Sequence, residues 1–484
     1  MKKLTDILKN TPVRELCGDT AAAIGGLVYD SRAVKPGDCF FAVPGTQSDG
    51  HDYIPIAVEK GAAAIVCERM PADAAEGVAY VLVGDSAGAM ADMAAAFYDY
   101  PSRELKLVGI TGTNGKTTTA TLLYDLVRAM GYKAGLISTV VYKIDGREVE
   151  ATHTTPDSIR LNAMMREMAD AGCAYCFMEC SSHAIVQERT RGLDFAGGIF
   201  SNITHDHLDY HKTFAEYIRA KKLFFDGLPK GAFALTNADD RNGRVMVQNT
   251  AAAVSAYSLR AMADFRCKIV EMHLDGMLLR IDGQELWVGL LGRFNAYNLL
   301  AVYGAAALLG LDRGEVLRVL SMLHAVSGRF EKIRAANGTT AIVDYAHTPD
   351  ALENVIQTIE EIRTSGQQLI VVCGCGGDRD RTKRPEMAAI AVKYATMAVF
   401  TSDNPRHESP EAILDDMVAG LEPGARYLRI ADRAEAIRTA VMLSRPGDII
   451  LVAGKGHETY QIVGDVKHPF DDREEIKKRF ALLN

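Results

Sequence analysis

Short apolar runs alternate with helical segments along most of this 484-residue chain, which leaves few fold classes open to it. Residues 105–110 are predicted to form a buried strand, and a Gly/Thr-rich loop and a helical pattern follow. Further apolar runs lie at residues 134–141, 173–180, 197–203 and 231–235. Because strands separated by helices favour parallel pairing, we expect an α/β protein with a mostly parallel central sheet.

Two breaks that contain proline or glycine divide the chain. Residues 84–100 have Ala and Met at helical spacing, and Pro101-Ser102-Arg103 marks a linker because proline ends a helix. The second break lies near residues 328–331, and the short apolar runs beyond it precede polar or Gly-rich loops. A typical size of about 150 residues also suggests three domains. We expect domains at residues 1–102, 103–331 and 332–484, the last with a second open α/β sheet.

The charge balance excludes several kinds of partner. Lys and Arg total 54 against 62 Asp and Glu, and the net charge of −8 argues against a dedicated binder of nucleic acid or anionic membranes.

No apolar run approaches the roughly 18 residues of a membrane span, and no apolar stretch follows Lys2 and Lys3 as in a secretory signal. Nine cysteines, an odd number, fit a reducing compartment. We expect a cytoplasmic protein with no membrane span and no nucleic-acid partner.

The segment Gly109–Thr117 follows a predicted strand and opens a predicted helix. Backbone N–H groups of such a loop bind phosphate, helped by the helix dipole. Lys116 would meet the β- and γ-phosphates, and Thr117 would hold Mg²⁺. Ile110 stands where the strict phosphate-loop pattern has its first glycine, so the alternative is a Gly-rich turn with a surface lysine. The strand–loop–helix context favours nucleotide binding.

Polar residues follow two other predicted strands, at the sheet edge where open α/β sheets bind their ligands. Glu179 ends one apolar run, and His207 follows the run that ends at Ile203. A carboxylate and an imidazole near Mg²⁺-ATP suggest metal ligands or a transition-state clamp. The alternatives are a charged strand end for Glu179 and a helix-start residue for His207.

Charged residues also collect after four predicted strands of the C-terminal third, at residues 344–347, 376–384, 403–406 and 454–458. Asp and Arg at one sheet edge suit a zwitterionic ligand, because Arg binds carboxylate in a bidentate manner and an acid binds ammonium. The alternative is a set of solvated loops with salt bridges. Four such loops at strand ends favour a site.

Together these segments resemble the Mur ligase family of peptidoglycan precursor synthesis over essentially the whole chain. The motifs that carry the resemblance are Thr111–Thr117, Met178–His183, Asp206–His211, Gly292–Asn298, Gly328–Glu331 and Asp344–Pro349. The resemblance implies an N-terminal domain for a UDP-linked substrate, a central ATPase domain and a C-terminal Rossmann-like domain for an incoming amino acid.

The resemblance further implies a ligase that forms an amide bond and uses ATP and Mg²⁺. The D-Glu carboxylate of UDP-N-acetylmuramoyl-L-alanyl-D-glutamate would attack the γ-phosphate, and an amine of meso-diaminopimelate would attack the resulting acyl phosphate. The segment 403–406 resembles the one that distinguishes diaminopimelate users from lysine users. We expect a monomeric protein whose partners are its small-molecule substrates, the UDP-linked dipeptide and meso-diaminopimelate.

By position, the resemblance assigns catalytic roles to Lys116, Glu179, His207 and Lys221, and Mg²⁺ binding to Thr117, Glu179, His207 and a carbamylated Lys221. It assigns ATP binding to Gly112, Thr113, Asn114, Gly115, Lys116, Thr117, Thr118, Asn295, Asn298, Arg329 and Asp344. It assigns the UDP-substrate to Ser31, Thr46, Gln47, Ser48, His153, Thr154, Thr155, Ser181, Gln187 and Arg189. It assigns diaminopimelate to Arg379, Asp403, Asn404, Pro405, Arg406, Gly454 and Glu458. Without the resemblance, Lys221 would be interpreted as a solvated helix lysine.

Three other functions stay open at this point. A lysine-adding ligase of the same family is disfavoured by the segment around Arg406. A folylpolyglutamate synthetase would share the ATPase core but would not need the uridine-site loops at residues 30–32 and 45–50. A nucleotide-binding regulatory module that does not catalyse ligation would not require both the Glu179/His207 pair and a separate Arg-rich pocket.

Overall fold

A computed structural model describes residues 1–45, 48–151, 153–204 and 208–483 of the chain. These residues form three successive α/β units, each with its own main sheet, and the predicted fold class is confirmed. In the described ranges, no helix combines the length and the apolar character needed to cross a bilayer.

The N-terminal unit has a five-stranded sheet that is parallel except at one edge. Its strands are β1 (Lys2–Lys3), β2 (Val13–Cys17), β3 (Ala23–Ile24), β4 (Leu27–Val28), β5 (Cys39–Phe41), β6 (Ala64–Cys67) and β7 (Ala79–Val83), and its helices are α1 (Leu4–Ile7), α2 (Ile54–Glu59) and α3 (Ser86–Phe97). The order is β2-β7-β6-β5-β4, and β1 pairs with β3 separately. The loops after β4 and β5 therefore leave the sheet side by side.

The central unit has an eleven-stranded sheet. Its strands are β8 (Lys106–Thr111), β9 (Ala134–Ile137), β10 (Val141–Ile144), β11 (Arg147–Glu150), β12 (Tyr175–Glu179), β13 (Gly197–Phe200), β14 (Phe233–Asn237), β15 (Ala253–Ser258), β16 (Phe265–His273), β17 (Gly276–Ile281) and β18 (Gln284–Val288). Its helices are α4 (Lys116–Ala129), α5 (Ser158–Asp170), α6 (Ser182–Val186), α7 (Leu208–His211), α8 (Phe214–Asp226), α9 (Gly243–Val247), α10 (Arg293–Leu308) and α11 (Arg313–Leu320).

The order of the central sheet is β11-β10-β9-β12-β8-β13-β14-β15-β16-β17-β18, and neighbours from β9 to β16 run parallel. Strand β8 lies between β12 and β13, so the loop after β8 stands at the middle of the carboxyl edge. This edge is where an open α/β sheet leaves a crevice.

The C-terminal unit has a six-stranded sheet, parallel except for β19. Its strands are β19 (Glu331–Arg334), β20 (Thr340–Asp344), β21 (Leu369–Cys373), β22 (Met397–Phe400), β23 (Tyr427–Arg429), β24 (Ile449–Ala453), β25 (Tyr460–Val463) and β26 (Val466–Pro469), and its helices are α12 (Pro349–Ile362), α13 (Lys383–Tyr394), α14 (Pro410–Val418), α15 (Arg433–Leu443) and α16 (Asp472–Phe480). The order is β19-β20-β24-β21-β22-β23, and β25 and β26 form a separate hairpin. All four charged loops predicted at strand ends follow β20, β21, β22 and β24.

The apolar run at residues 134–141 is not one strand. It divides into β9 and β10, which pair antiparallel, because the Ser138 side chain bonds both the N–H and the carbonyl of Val141 and closes a tight turn. The turn brings Thr139 to the carboxyl edge of the sheet, beside the end of β12.

Candidate active site

The loop between β8 and α4 is anchored to the segment after β13. The N–H of Thr113 donates to the Asn202 carbonyl at 2.8 Å, and the N–H of Asn114 donates to the Asn202 side-chain oxygen at 3.0 Å. Gly112 has a φ of +151°, and a Cβ there would lie 1.9 Å from the hydroxyl of Ser201. Only glycine fits this contact, so Gly112 lets the loop pack directly against the segment after β13.

Helix α4 begins at Lys116, directly after the loop. The Lys116 ammonium donates to the carbonyls of Gly112 and Thr113, each at 2.8 Å. The hydroxyl of Thr117 accepts from the guanidinium of Arg329 at 3.1 Å, and Arg329 lies two residues before the predicted boundary between the central and C-terminal domains. The strand–loop–helix geometry is the one that the sequence predicted.

A cleft of about 480 Å³ opens over this loop. The predicted ATP residues that line it are Thr113, Asn114, Gly115, Lys116, Thr117, Thr118, Asn298, Arg329 and Asp344. Glu179, Lys221, Thr154 and Ser181 line it too. The structure therefore brings together residues that the sequence assigned separately to ATP, to the metal and to the UDP-substrate.

Glu179 ends β12 and is almost completely buried. Its carboxylate accepts from the N–H of Thr139 at 2.7 Å and from the Thr139 hydroxyl at 3.2 Å. The Thr139 hydroxyl also lies 3.1 Å from the Thr154 hydroxyl, from which it can accept a hydrogen bond. Thr139 was missed by the sequence reasoning, because its position depends on the turn between β9 and β10.

Lys221, on α8, is 1% exposed, so its interpretation as a solvated helix lysine is wrong. Its ammonium donates to the carbonyl of Gly112 at 2.8 Å and lies 4.7 Å from the centre of the Tyr217 ring. A lysine rarely occupies such a position without a function or a partner. His207 lies outside the described residues.

The two asparagines of α10 have different surroundings. Asn298 lines the cleft and contacts Gly115, where a Cβ would come within 2.4 Å of its side-chain oxygen. Asn295 donates to the Leu291 carbonyl at 2.7 Å and accepts from Asn298 at 3.1 Å. Asn295 therefore orients Asn298 instead of lining the cleft.

Arg329 and Asp344 reach the cleft from the C-terminal side. The Arg329 guanidinium lies 4.5 Å from the centre of the Tyr345 ring. Asp344 accepts backbone N–H bonds from Phe330 at 2.7 Å and Ala346 at 2.8 Å. Burial raises the pKa of the Asp344 carboxyl above its usual range, and the charge of Arg329 works in the opposite direction.

Asp350, in the first turn of α12, is a further residue of this cleft that sequence reasoning missed. Its carboxylate accepts from the Asn114 side chain at 2.9 Å and from the Thr204 hydroxyl at 3.3 Å. These contacts join α12 to the phosphate loop. An acidic residue just after Thr348-Pro349 is a usual helix-start signal, so local sequence patterns did not mark Asp350 as a site residue.

Two of the four predicted uridine-site positions, Thr46 and Gln47, lie outside the described residues, and a third, Ser48, is exposed. Ser31 is buried, and its carbonyl accepts from the Lys60 ammonium at 3.0 Å. Because β4 and β5 are neighbours, the Ser31 and Ser48 loops leave the same sheet edge.

The remaining UDP-substrate positions form a connected group at the end of β12. The Thr155 hydroxyl donates to the Glu179 carbonyl at 2.7 Å and accepts from the Ser181 N–H at 3.1 Å. Arg189 donates to the Thr155 carbonyl at 2.7 Å and to the Gln187 side chain at 2.6 Å. His153 is exposed, and its backbone N–H donates to the Tyr142 hydroxyl at 3.1 Å.

The predicted amino-acid residues gather after β22 and β24. Asn404 donates to the Glu458 carboxylate at 2.9 Å, and the fully buried Lys455 donates to the same carboxylate at 2.8 Å. A Cβ at Gly454 would lie 2.6 Å from a carboxylate oxygen of Asp403, a buried oxygen that accepts no hydrogen bond from the residues that the structure describes. Pro405 is buried beside them.

Arg406 has a φ of +51° and is held by β25, its N–H donating to the Ile462 carbonyl at 3.1 Å. Burial lowers the pKa of its guanidinium, and the nearby charge of Arg379 lowers it further. The side chain of Arg379 is exposed. The Arg406 guanidinium donates to the carbonyls of Gly377 at 2.9 Å and Asn404 at 3.4 Å. A guanidinium next to the loop that carries Asp403 and bonds Glu458 matches a ligand with both carboxylate and ammonium groups.

Among the described residues, no group of three or more His, Cys, Asp or Glu side chains is arranged to hold a metal ion. The donors at the cleft are instead the hydroxyl of Thr117 and the carboxylate of Glu179, both hard oxygen groups of the kind that Mg²⁺ prefers. The residues present therefore fit a Mg²⁺ that is shared with substrate phosphates.

Three family models match the chain in succession. They are "Mur ligase family, catalytic domain" over residues 23–98, "Mur ligase middle domain" over 110–306, and "Mur ligase, glutamate ligase domain" over 328–456. The UDP-N-acetylmuramoyl-L-alanyl-D-glutamate--2,6-diaminopimelate ligase of Phocaeicola vulgatus is 55% identical, over 99% of both chains.

Solved structures of Mur ligases have the same fold as this chain. A UDP-N-acetylmuramoyl-L-alanyl-D-glutamate--2,6-diaminopimelate ligase superposes with a TM-score of 0.70 at 31% identity, over 100% of this chain and 99% of that one. The MurF ligase of Thermotoga maritima in complex with ADP shares the fold, with a TM-score of 0.63 at 18% identity over 94% and 96% of the two chains. On the full-length identity and the three matching domains, the chain belongs to the Mur ligase family.

Proposed function

We propose that this protein is the ATP-dependent ligase that joins meso-diaminopimelate to the D-Glu residue of UDP-N-acetylmuramoyl-L-alanyl-D-glutamate, a step of peptidoglycan precursor synthesis. The observation that carries the proposal is the shared cleft, in which the phosphate loop, Glu179 and Lys221 of the central unit face Asp344 of the C-terminal unit, and Arg329 reaches the same cleft from the segment just before β19. The full-length identity to ligases of this name supports the same reaction.

The reaction has to convert a carboxylate, a poor electrophile, into an acyl phosphate. The D-Glu oxygen bonds to the γ-phosphorus as the bond to ADP breaks. An amine of diaminopimelate then bonds to the acyl carbon, and phosphate and a proton leave. Both reactants of the first step are anions, so Lys116 and Arg329 would reduce their repulsion at the cleft.

In this proposal the loop of residues 112–115 binds the phosphates through N–H groups other than those of Thr113 and Asn114, which bond Asn202, and Thr118 and Asn298 contact the nucleotide. Asn295 holds Asn298, and Asp344 holds the backbone at Phe330 so that Arg329 faces the phosphates. Mg²⁺, when bound, supplies further positive charge, and Thr117, Glu179 and His207 would hold it.

We also propose that Lys221 is carbamylated. Its neutral amine would add to CO₂ with loss of a proton, and the resulting anion would become a further Mg²⁺ ligand. Its burial at the phosphate loop supports this role. Heteronuclear NMR of protein equilibrated with ¹³C-labelled bicarbonate tests it: a carbamate signal in the wild type and its absence in Lys221→Arg are expected. No signal in the wild type would contradict the proposal.

The other substrates would occupy the two flanking units. Ser31, Thr46, Gln47 and Ser48 would bind the uridine end, while His153, Thr154, Thr155, Ser181, Gln187 and Arg189 would bind the muramoyl-dipeptide end. Arg379, Asp403, Asn404, Pro405, Arg406, Gly454 and Glu458 would form the diaminopimelate pocket.

We propose domain boundaries at residues 102/103 and 331/332. The short 3₁₀ helix Pro101–Glu104 separates the first two sheets, and β19, which begins at Glu331, is the first strand of the third.

We also propose a cytoplasmic, monomeric enzyme. All nine cysteines are free thiols and eight are buried, which suits a reducing compartment.

A product assay tests the proposed function. The protein is mixed with Mg²⁺-ATP and the UDP-muramoyl-dipeptide, and meso-diaminopimelate or L-lysine is added in separate reactions. Mass spectrometry should detect the UDP-tripeptide with diaminopimelate only. Product with lysine only would keep a ligase but refute the acceptor, and folded, ATP-binding protein without product in either reaction would refute the ligase.

A further inference from the structure

The fully buried Lys455 lies at the centre of a hydrogen-bond network in the proposed amino-acid pocket. Its ammonium donates to the carboxylate of Glu458 at 2.8 Å and to the side-chain oxygen of Asn404 at 3.0 Å, and it lies 5.6 Å from the centre of the Tyr460 ring. Lysine is almost never fully buried unless it is paired, because desolvation of its charge is costly. These contacts account for its burial.

The hydrogen bonds of this network reach one carboxylate oxygen of Glu458, Oε2, and leave the second oxygen, Oε1, outside the network. Lys455 and the Asn404 amide both donate to Oε2, at 2.8 Å and 2.9 Å, and in the described part of the chain no donor reaches Oε1. The Asn404 oxygen is also occupied, since it accepts from Lys455 and from the N–H of Ile462, at 3.0 Å each. The Asn404 side-chain oxygen is thus used inside the protein, and one of its two N–H groups fixes Glu458.

Arg406 and Glu458 are connected through Asn404: the Arg406 guanidinium donates to the Asn404 carbonyl at 3.4 Å, and the Asn404 side chain donates to Glu458 at 2.9 Å. An α-amino-acid group carries its carboxylate and its ammonium on one carbon, so a neighbouring cation and anion can bind both at once. Diaminopimelate has such a group at each end, whereas lysine lacks the distal carboxylate and 2-aminopimelate lacks the distal ammonium.

We propose that Lys455 is a positioning residue for acceptor specificity: together with Asn404 it aims the Oε1 atom of Glu458 at the distal ammonium of diaminopimelate, while Arg406 binds the distal carboxylate. The inference rests on the proposed function. It divides recognition of the distal group between two elements, the loop after β24 for ammonium and the loop after β22 for carboxylate.

The test compares kcat/KM for meso-diaminopimelate, L-2-aminopimelate and L-lysine in the full-length enzyme. Lys455→Met should lower the preference for diaminopimelate over 2-aminopimelate at least tenfold, while the preference over lysine changes less than threefold. Arg406→Ala should give the reverse pattern. The matched control is Lys467→Met, which removes an exposed lysine whose ammonium lies 4.4 Å from the centre of the same Tyr460 ring and should change neither preference.

A purely structural role for Lys455 would lower the rates with all three acceptors together and leave both preferences intact, and that result would overturn the inference. If Lys455→Met does not fold, Asn404→Leu removes the other donor to Oε2, and an unchanged preference over 2-aminopimelate in that variant would overturn it equally. A wild type that makes no diaminopimelate product would refute the proposed function itself, before any variant is compared.

Discussion

Two ammonium groups share one carbonyl oxygen at the phosphate loop. Lys116 and Lys221 both donate to Gly112, each at 2.8 Å, although they come from different helices. Two like charges this close repel, and a phosphate or a carboxylate placed between them would be attracted to both. Carbamylation would turn the Lys221 side chain into an anion and replace the repulsion with attraction, which is a physical reason for the modification proposed above.

His457 gives a prediction at the residue scale. Burial, and then the charge of Arg329, lowers the pKa of its imidazole to about 3, so the native state keeps this ring neutral. The unfolded chain takes up a proton below about pH 6.5, and native stability is therefore lost as pH falls from 6.5 towards 3, by up to about 1.4 kcal/mol per pH unit.

We expect His457→Gln to remove the part of the acid-induced loss of native stability that comes from this buried imidazole. Thermal unfolding from pH 7.5 to 5 should show a smaller drop in Tm for the variant than for the wild type. His324→Gln, at an exposed histidine outside the site, is the control and should behave like the wild type. Parallel pH profiles of the His457 variant and the wild type would contradict the prediction.

The loop between β8 and α4 gives a prediction at the element scale. A methyl group at Gly112 would collide with the Ser201 hydroxyl at 1.9 Å, and the loop would have to leave its place at the carboxyl edge of the sheet. We expect Gly112→Ala to weaken ATP binding at least a hundredfold in calorimetric titrations. Gly131→Ala, at the other end of α4, is the control: its φ is +88° but no atom lies within 4 Å of the added Cβ. Equal ATP affinity in both variants would show that the loop tolerates displacement.

Helix α12 gives a second prediction at this scale, because its first turn reaches across to the phosphate loop. Asp350→Ala removes the acceptor of the Asn114 and Thr204 hydrogen bonds, which join α12 to the central unit. Because residues 321–331 connect the two units, we expect a protease to cleave this segment faster in the variant when ATP is absent. Glu353→Ala is the control on the same helix, since Glu353 bonds Tyr394 within the C-terminal unit, at 2.8 Å. Unchanged cleavage in Asp350→Ala would mean that the apolar contacts alone hold α12 in place.

At the scale of the whole molecule, the proposed sites lie on three units, and the substrates must meet at one cleft. Gly328 and Phe330, at the second predicted boundary, both have positive φ, +66° and +51°, and flank Arg329. We propose that this segment is a hinge. Small-angle scattering should show a smaller radius of gyration with the UDP-substrate, diaminopimelate and a non-hydrolysable ATP analogue than without ligands. An unchanged radius with all three bound would contradict closure.

The sequence by itself determined the features that depend on neighbours along the chain. The apolar runs located β8, β12, β20 to β22 and β24, and the loop before Lys116 was placed correctly between a strand and a helix. Such segments are predictable because strand burial and loop geometry are set by a few consecutive residues. The residues grouped after strands of the C-terminal sheet, such as Asp403 and Glu458, followed from the rule that parallel strands end at one edge.

The tertiary structure alone decided what depends on distant partners. Nothing in the sequence marked Thr139 or Asp350 as a site residue, and Lys455 was predicted only as part of a charged loop. They join their sites because a turn, a helix start and a buried network bring them there. Lys221 is the clearest case. On the sequence it resembles its neighbour Lys222, but the rotation of α8 buries one and leaves the other at the edge, bonded to Asp226. A helix places successive residues about 100° apart, so which lysine faces the phosphate loop is settled by packing and not by composition.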